Sequence, residues 1–391
     1  MCIKKKLATI MIIVSGIFVS AFIFENRAYA ANSETELEVQ SPSIDDDVRA
    51  YASNTLQFSL QSYVQVTENR LIKSGEYKLS EPFSLVSVDN EETTSIHPVI
   101  GSNGIEYTFF VNYTEDGQFS SKLTKLLVNE LNDLMQNTEN CTFIFFEKSG
   151  SIYSETSGIV DMIYENPDPQ SESLPAEKVE QEILDVKDET VLETIKLDEN
   201  LTPINPTVSR TSRSVTNNSA LTMIDWSITQ TQGSEPLCAA YAVAMILNNK
   251  NDKRPTAVSD ITAWATNSKI DYSRGFTEAQ MIQYANSRGV YPYSVNGILS
   301  RQDINTQILR SNAIYARWYR DVGDGIRGYH AIDIIGIIRQ PIMFDSGENV
   351  GYLVWNPWYN YTEMVDANNP NSISYSVPGR TYKWFQTMTN W

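Results

Sequence analysis

The spacing of apolar positions divides the chain into regions with different predicted structures. Between residues 50 and 165, short segments rich in β-forming residues alternate apolar and polar positions, as at 83–88, 106–113 and 142–146. Within this region, residues 120–135 carry five leucines at a spacing that places them on one face of a helix. We therefore predict an α+β unit in which one helix packs against a small curved antiparallel sheet.

From about residue 219 the pattern predicts helices first and strands afterwards. Helical spacing covers 238–248, 258–267 and 277–288, and β-forming segments follow at 313–319, 330–338, 352–355 and 380–385. This order is typical of an α+β domain with segregated layers. The first helix is apolar on every side over 239–247, so we expect it to be buried with its N-terminal end at a cleft.

The first 30 residues have the pattern of a secretory signal peptide. Lys4, Lys5 and Lys6 precede an apolar run that ends in Ala28-Tyr29-Ala30. We expect cleavage after Ala30 and no stable membrane anchor in the mature protein. A retained anchor is the alternative.

The segment at 166–213 is acidic and proline-rich, and its composition predicts a linker that cannot fold by itself. The spacing of apolar residues at 179–197 allows a helix if another part of the protein supplies a surface for it to pack against. The linker ends in a polar stretch with Arg210 and Arg213, where we expect proteolytic cleavage. An interdomain hinge that is never cut is the alternative.

Charge separates the chain into two physically different parts. The formal net charge is -18, and residues 31–213 hold 33 acidic and 12 basic residues, whereas residues 214–391 hold 14 of each. The acidity argues against nucleic acid as a partner. The three cysteines, at 2, 141 and 238, form neither a CxxC pair nor a zinc spacing, so we expect no metal and no cofactor.

Cys238 lies where a polar, turn-forming approach meets an apolar helix. The partial positive charge of a helix N-terminus lowers a thiol pKa, and a neighbouring imidazolium adds to the effect. His330 is the one histidine after residue 213 and begins a predicted strand. We predict that His330 acts as the base for Cys238; a buried structural cysteine and a core histidine are the alternative. For Cys141 and His97 we predict structural roles.

Three more residues stand in settings that suit this chemistry. Asn356 follows a strand, and its amide oxygen can accept the imidazole N–H while Trp358 shields that hydrogen bond from water. Gln232 lies six residues before Cys238 and, with the Cys238 N–H, can form an oxyanion hole. The alternatives are a turn asparagine beside a core tryptophan, and a solvent-exposed glutamine.

These segments together resemble a known family. The Gln232-Gly233 pair, the Cys-Ala-Ala-Tyr helix start, the glycine and His-Ala block at 328–336 and Trp-Asn-Pro-Trp at 355–358 are similar to papain-fold cysteine peptidases of the secreted staphopain type from Gram-positive bacteria. Leu237 departs from the aromatic residue expected before the nucleophile, and Tyr329 from the small residue expected before the histidine. Both departures concern the shape of the substrate cleft.

The resemblance implies a secreted endopeptidase made as a preproenzyme. The papain-like two-layer α+β domain would occupy 214–391. Residues 31–165, folded from about 50, would form a half-barrel-like α+β propeptide, and 166–213 would carry the activation site. The implied roles are nucleophile for Cys238, base and acid for His330, orienter for Asn356 and oxyanion donor for Gln232. The implied partners are protein or peptide substrates, the propeptide as inhibitor, and a dedicated inhibitor protein.

Two other functions remain open at this point. One is a Cys-His-Asp peptidase or amidase that acts on a leader peptide or a cell-wall crosslink, with Asp345 or Asp366 as the third residue. Asn356 fits its local motif better than either. The other is a catalytically silent, secreted binding protein, which the complete set of four polar residues disfavours.

Overall fold

The computed structural model describes the chain from residue 37 to residue 391 with gaps. The described residues are 37–89, 92–113, 117–137, 141–168, 174–197, 201–204, 220–250, 256–322, 326–341 and 347–391. The predicted signal peptide and the two arginines of the predicted activation site lie outside them. Among the described residues, no helix has both the length and the apolar character needed to cross a membrane.

The N-terminal region, up to residue 204, combines three helices with short strands within the described residues. The helices are α1 (Asp46–Glu68), α2 (Val128–Asn137) and α3 (Ala176–Glu189). The strands are β1 (Glu38–Ser41), β2 (Lys78–Leu79), β3 (Phe83–Ser84), β4 (Val86–Ser87), β5 (Thr93–Gly101), β6 (Gly104–Tyr113), β7 (Phe119–Thr124), β8 (Thr142–Lys148), β9 (Ser151–Thr156), β10 (Ile159–Tyr164), β11 (Glu193–Lys196) and β12 (Thr202–Pro203).

After one short strand, most helices of the C-terminal region come first and most strands follow. The helices are α4 (Cys238–Asn248), α5 (Val258–Asn267), α6 (Glu278–Ser287) and α7 (Arg301–Leu309). The strands are β13 (Ala220–Met223), β14 (Tyr293–Asn296), β15 (Ile314–Asp321), β16 (Arg327–Pro341), β17 (Glu348–Trp355), β18 (Thr362–Asp366), β19 (Ser374–Val377) and β20 (Arg380–Thr389). The predicted α+β class and the predicted order of helices and strands are confirmed. The spacing did not reveal α7 or the shorter strands.

The two regions share one sheet. Its strand order is β12-β2-β5-β6-β7-β18-β17-β16-β15-β20-β14, with β3 on β5, β13 on β16 and β19 on β20. The regions join where β7 pairs antiparallel with β18, with Leu123 opposite Met364. Helix α1 packs across this junction, because it contacts β6 and β7 on one side and β17 and β18 on the other. The N-terminal region is therefore anchored along an edge of the C-terminal sheet.

The prediction of one helix in the N-terminal region was wrong. Helix α1 was missed because its sequence is rich in serine, threonine, valine and tyrosine, which are weak helix formers. The predicted helix at 120–135 was also wrong in its first half, since residues 119–124 form β7 between β6 and β18. Leu123 belongs to that strand and Leu131 to α2, so the helical spacing of the leucines was partly a coincidence.

The acidic segment expected to be a linker contains ordered elements. Its helix α3 buries Val179 and Ile183 against a small cluster with Ile144 and Phe146 of β8, and β11 pairs with β1. These strands belong to a second sheet, with the order β10-β9-β8-β1-β11 and β4 on β8. The segment is ordered because β8 and β10 supply the apolar partner surface that its own composition lacks.

The buried helix α4 forms the centre of the C-terminal region. From Ala239 to Leu247 every side chain except Tyr241 is buried, and the helix packs against β16, α5 and α6. This confirms the expected burial of 239–247. Cys238 is its first residue and is half-buried, so the apolar body of the helix holds the thiol at the edge of the core.

The two residues predicted to be structural lie in the N-terminal core. The His97 side chain is buried in β5, with its Nε2 at 3.2 Å from Ser95 Oγ. Burial lowers its pKa to about 3, so the ring is neutral at physiological pH. Cys141 is buried directly before β8. Both positions agree with the structural interpretation.

Candidate active site

Two adjacent strands bring His330 and Asn356 together. His330 lies near the start of β16, and β17 runs antiparallel to β16 with Trp355 opposite Asp333. Asn356 follows the last residue of β17 and turns toward the imidazole, where its Oδ1 lies 2.8 Å from His330 Nε2. This antiparallel register brings His330 and Asn356 into contact although they are 26 positions apart in sequence.

The hydrogen bonds of Asn356 fix which nitrogen of His330 carries the proton. Asn356 Oδ1 also accepts from the backbone N–H of Trp358 at 3.0 Å, and its Nδ2 donates to Tyr375 Oη at 2.8 Å. The amide oxygen therefore faces the imidazole, and His330 donates to it through Nε2. This leaves the lone pair on Nδ1, which is therefore the nitrogen of His330 that is able to accept a proton.

Trp358 covers the imidazole. The rings of Trp358 and His330 stack with centroids 3.8 Å apart and an interplanar angle of 17°. His330 is 3% exposed, and burial lowers its pKa to about 4 in spite of the hydrogen bond to Asn356 and the charge of Asp168, which both raise it. The imidazole is thus neutral at physiological pH in this state.

Cys238 faces the same cleft from the start of α4. It is a free thiol, and the backbone N–H groups of Ala331 and Ala239 hydrogen-bond its sulfur. These bonds lower the thiol pKa, but burial outweighs them and raises it to about 11. With the pKa of His330 near 4, both groups are neutral at physiological pH. Burial therefore disfavours the thiolate–imidazolium pair expected from the sequence in this state of the molecule.

Gln232 lines the same cleft, along with Cys238, Ala239 and His330. Its backbone N–H donates to Pro357 O at 2.7 Å, which holds the loop before α4 against the turn after β17. Its side-chain Nε2 donates to Glu235 O within its own loop. The structure therefore brings Gln232 beside the thiol, with its amide donor directed at the backbone of residue 235.

One of the two departures from the family pattern, Tyr329, lines this cleft, and the other, Leu237, directly precedes the helix that carries the thiol. Tyr329 is 39% exposed, and the Arg317 guanidinium stacks over its ring at 4.1 Å. Arg317 in turn pairs with Glu278 at 2.5 Å. Leu237 is half-buried and caps α4 without a side-chain hydrogen bond. The cleft is thus lined by a cation–aromatic pair on the side of β15 and β16.

An acidic residue from the N-terminal region also lies in the cleft. Asp168 Oδ2 accepts from Tyr382 Oη at 2.6 Å and from Arg320 Nη2 at 3.3 Å, and the carboxylate lines the same cavity as Cys238 and His330. Sequence reasoning missed this residue, because Asp168 is one of many carboxylates in the acidic segment and Arg320 is one of several β15 residues with polar side chains.

A buried ion pair lies behind Asn356. Lys122 of β7 and Glu363 of β18 are both fully buried, with Nζ and Oε1 3.0 Å apart. Tyr375 Oη donates to Glu363, and it accepts from Lys122 Nζ at 3.2 Å and from Asn356 Nδ2. A continuous polar chain therefore runs from a lysine of the N-terminal region to the amide that holds His330.

Of the two other candidates for the third residue, the one that the structure describes, Asp366, bonds to a residue of α1. Asp366 lies at the end of β18 and accepts from Tyr51 of α1 at 2.7 Å. Asp345 lies outside the described residues. In the described parts of the chain, no group of three His, Cys, Asp or Glu side chains is arranged to hold a metal ion.

Comparison with known proteins agrees with this geometry. Residues 217–391 match the family model described as staphopain peptidase C47. The chain is 23% identical to staphopain B of Staphylococcus aureus strain MSSA476 over 402 aligned positions, which cover 98% of this chain and 96% of the relative. Staphopain B of strain MRSA252 is 22% identical with the same coverage. Residues 217–391 of this chain therefore belong to the staphopain family of cysteine peptidases.

Proposed function

We propose that this chain is the latent precursor of a secreted cysteine endopeptidase that hydrolyses protein and peptide substrates. The observation that supports this most strongly is the convergence of Cys238, at a helix start, with His330, which Asn356 orients and Trp358 covers. A thiol beside an oriented imidazole in a cleft is the arrangement that activates a cysteine nucleophile.

In the proposed reaction, one proton passes from the Cys238 thiol to His330 and then to the leaving amine of the substrate. His330 Nδ1 takes the proton of the thiol, and the sulfur attacks the peptide carbonyl carbon to give a tetrahedral intermediate. The oxyanion is stabilised by the Cys238 N–H and by the Gln232 amide, once that amide turns from residue 235 toward the cleft. His330 then protonates the leaving amine, and water hydrolyses the acyl-enzyme.

Asn356 and Trp358 act on His330 rather than on the substrate. The amide oxygen of Asn356 holds Nε2–H, which keeps Nδ1 as the base throughout the cycle. Trp358 excludes water from that hydrogen bond, and a hydrogen bond in a dry environment is electrostatically stronger. Both are positioning residues in this proposal.

The N-terminal region is proposed to keep the precursor inactive. Its strands β2 to β7 would form the half-barrel-like core of a propeptide that spans 31–165. Asp168 lines the cleft together with Cys238 and His330, and the thiol and the imidazole are both neutral. Removal of this region would expose the cleft, lower the pKa of Cys238 and raise that of His330, which favours the ion pair.

Two further processing steps belong to the proposal. The signal peptide would be removed after Ala30 during secretion, and cleavage in the 200–216 stretch near Arg210 and Arg213 would release the catalytic domain at 214–391. A dedicated inhibitor protein would be a further partner of the mature enzyme. Neither metal nor cofactor takes part in the proposed reaction.

Casein hydrolysis before and after a controlled cut tests this function. The secreted chain is treated briefly with trypsin, the trypsin is blocked with a serine-directed inhibitor, and casein hydrolysis is followed with and without a thiol-directed epoxide. We expect hydrolysis only after the cut, and its complete loss with the epoxide. Hydrolysis that the epoxide does not affect, or none in the processed chain, would contradict the proposal.

A further inference from the structure

Arg320 and Tyr382 form a preorganised site for a carboxylate beside His330. Arg320 Nε donates to Tyr382 Oη at 3.2 Å, and both residues direct a donor at the same oxygen of Asp168. Arg320 is 8% exposed and Tyr382 is 1% exposed. We propose that in the mature enzyme these two residues are a subsite for an Asp or Glu side chain of the substrate, and that Asp168 occupies this subsite in the precursor. The inference rests on the proposed function.

The chemistry of the site favours an anion. A guanidinium that is largely removed from water needs a counter-charge, because an unpaired buried charge is costly. Among the described residues, the carboxylate that contacts Arg320 is that of Asp168, which belongs to the region removed on activation. Once Asp168 leaves, the Arg320 guanidinium loses this carboxylate and keeps its hydrogen bond to the neutral phenol of Tyr382. A carboxylate from the substrate restores the lost pair.

Tyr382 adds a second hydrogen-bond donor, with a fixed direction, to the charge of Arg320. Because Arg320 donates to the phenol oxygen, the phenol proton is free to point away from Arg320 toward the carboxylate. The incoming oxygen therefore meets two donors that are already in place. Hydrogen bonds to a charged acceptor are stronger than neutral ones, so an Asn or Gln side chain of the same shape binds less well.

The position of the site relative to His330 assigns it to the leaving-group side of the substrate. In the proposed reaction His330 protonates the leaving amine, so the residues after the scissile bond lie on its side of the cleft. The rings of Tyr382 and His330 are 6.0 Å apart, and those of Tyr382 and Trp358 are 6.5 Å apart. An extended peptide advances about 3.3 Å per residue. The acidic side chain therefore belongs to the first or second residue after the cleaved bond.

A peptide library digested by the processed chain tests the subsite. Cut sites are read by mass spectrometry, and we expect Asp and Glu to be enriched at the first or second position after the cut. For a matched pair of quenched fluorescent peptides with Asp or Asn at the enriched position, we expect kcat/KM to favour Asp by about tenfold, which corresponds to one charge-assisted hydrogen bond.

Three variants separate the subsite from general effects on folding. Arg320→Gln should bring the Asp/Asn ratio close to one, and Tyr382→Phe should lower it by several-fold. Arg339→Gln is the matched control, because Arg339 pairs with Glu348 at the opposite end of β16 from His330, and its ratio should equal that of the parent. The ratio is measured within one enzyme preparation, so partial misfolding of a variant cancels.

The failure of the subsite can be distinguished from the failure of the proposed function. Casein hydrolysis with no Asp or Glu enrichment at these two positions would overturn the subsite alone. An Asp/Asn ratio that is unchanged in Arg320→Gln would also overturn it. If the processed chain hydrolyses neither casein nor any library peptide, the proposed function fails, and the subsite fails with it.

Discussion

Replacing Cys238 with alanine is expected to lower casein hydrolysis by the processed chain by about 10⁴-fold or more. The thiol is the sole nucleophile in the proposed reaction, so its removal prevents formation of the acyl-enzyme. Initial rates of casein hydrolysis by equal amounts of processed parent and variant give the measurement.

The alanine variant should otherwise resemble the parent. Cys238 is the first residue of α4 and is half-buried, so its loss removes little core packing. An unchanged urea midpoint of the unprocessed variant would show that the fold is retained. Hydrolysis at the parental rate in a folded Cys238→Ala variant would rule out the thiol mechanism.

Replacing Lys122 with methionine is expected to destabilise the unprocessed chain by about 3–5 kcal/mol. Lys122 and Glu363 are both fully buried, and removal of the lysine leaves the carboxylate without its counter-charge in a low-dielectric environment. Lys122 also lies in β7, the strand that joins the two regions through its pairing with β18. The loss should appear as a lower urea midpoint.

Two further variants isolate the ion pair. In the double variant Lys122→Met with Glu363→Gln, no unpaired charge is left, and most of the lost stability should return. Lys178→Met is the control, because Lys178 is exposed on α3, and its effect should stay within about 0.5 kcal/mol. A Lys122→Met chain as stable as the control would show that the pair does not hold the regions together.

The residues of the candidate site could be predicted because each has a local signal. Cys238 lies at a junction of polar and apolar sequence, His330 lies near a strand start, and Asn356 with Trp358 follows a strand end. Such signals depend on neighbours in sequence. The structure brings Cys238 and His330 to one cleft, and Asn356 and Trp358 contact His330. The side-chain direction of Gln232 has no such local signal, and its Nε2 is directed at residue 235.

The contacts between the two regions could not be predicted in this way. Lys122 and Glu363 are 241 positions apart, and nothing near either of them in sequence indicates the other. The same holds for Asp168, which meets Arg320 and Tyr382 across the cleft. The first pair follows from the register of β7 on β18, and the contact of Asp168 follows from the path of the acidic segment. Both are properties of the folded chain.

The neutral state of the site also depends on the fold. A helix start and a nearby histidine predict a low thiol pKa, but burial by the assembled chain raises the pKa of Cys238 to about 11 and lowers that of His330 to about 4. Local sequence describes the groups that are able to react. Burial in the folded chain, which local sequence does not describe, decides which protonation states are favoured.

The rate at which a thiol-directed epoxide labels Cys238, measured against pH before and after processing, tests the central claim most directly. In the unprocessed chain we expect slow labelling at neutral pH and a rise as the pH approaches about 11, where the thiol ionises. In the processed chain we expect fast labelling at neutral pH with little further rise, because the thiolate is already present. Slow labelling of the processed chain with the same pH profile as the unprocessed chain would contradict the account.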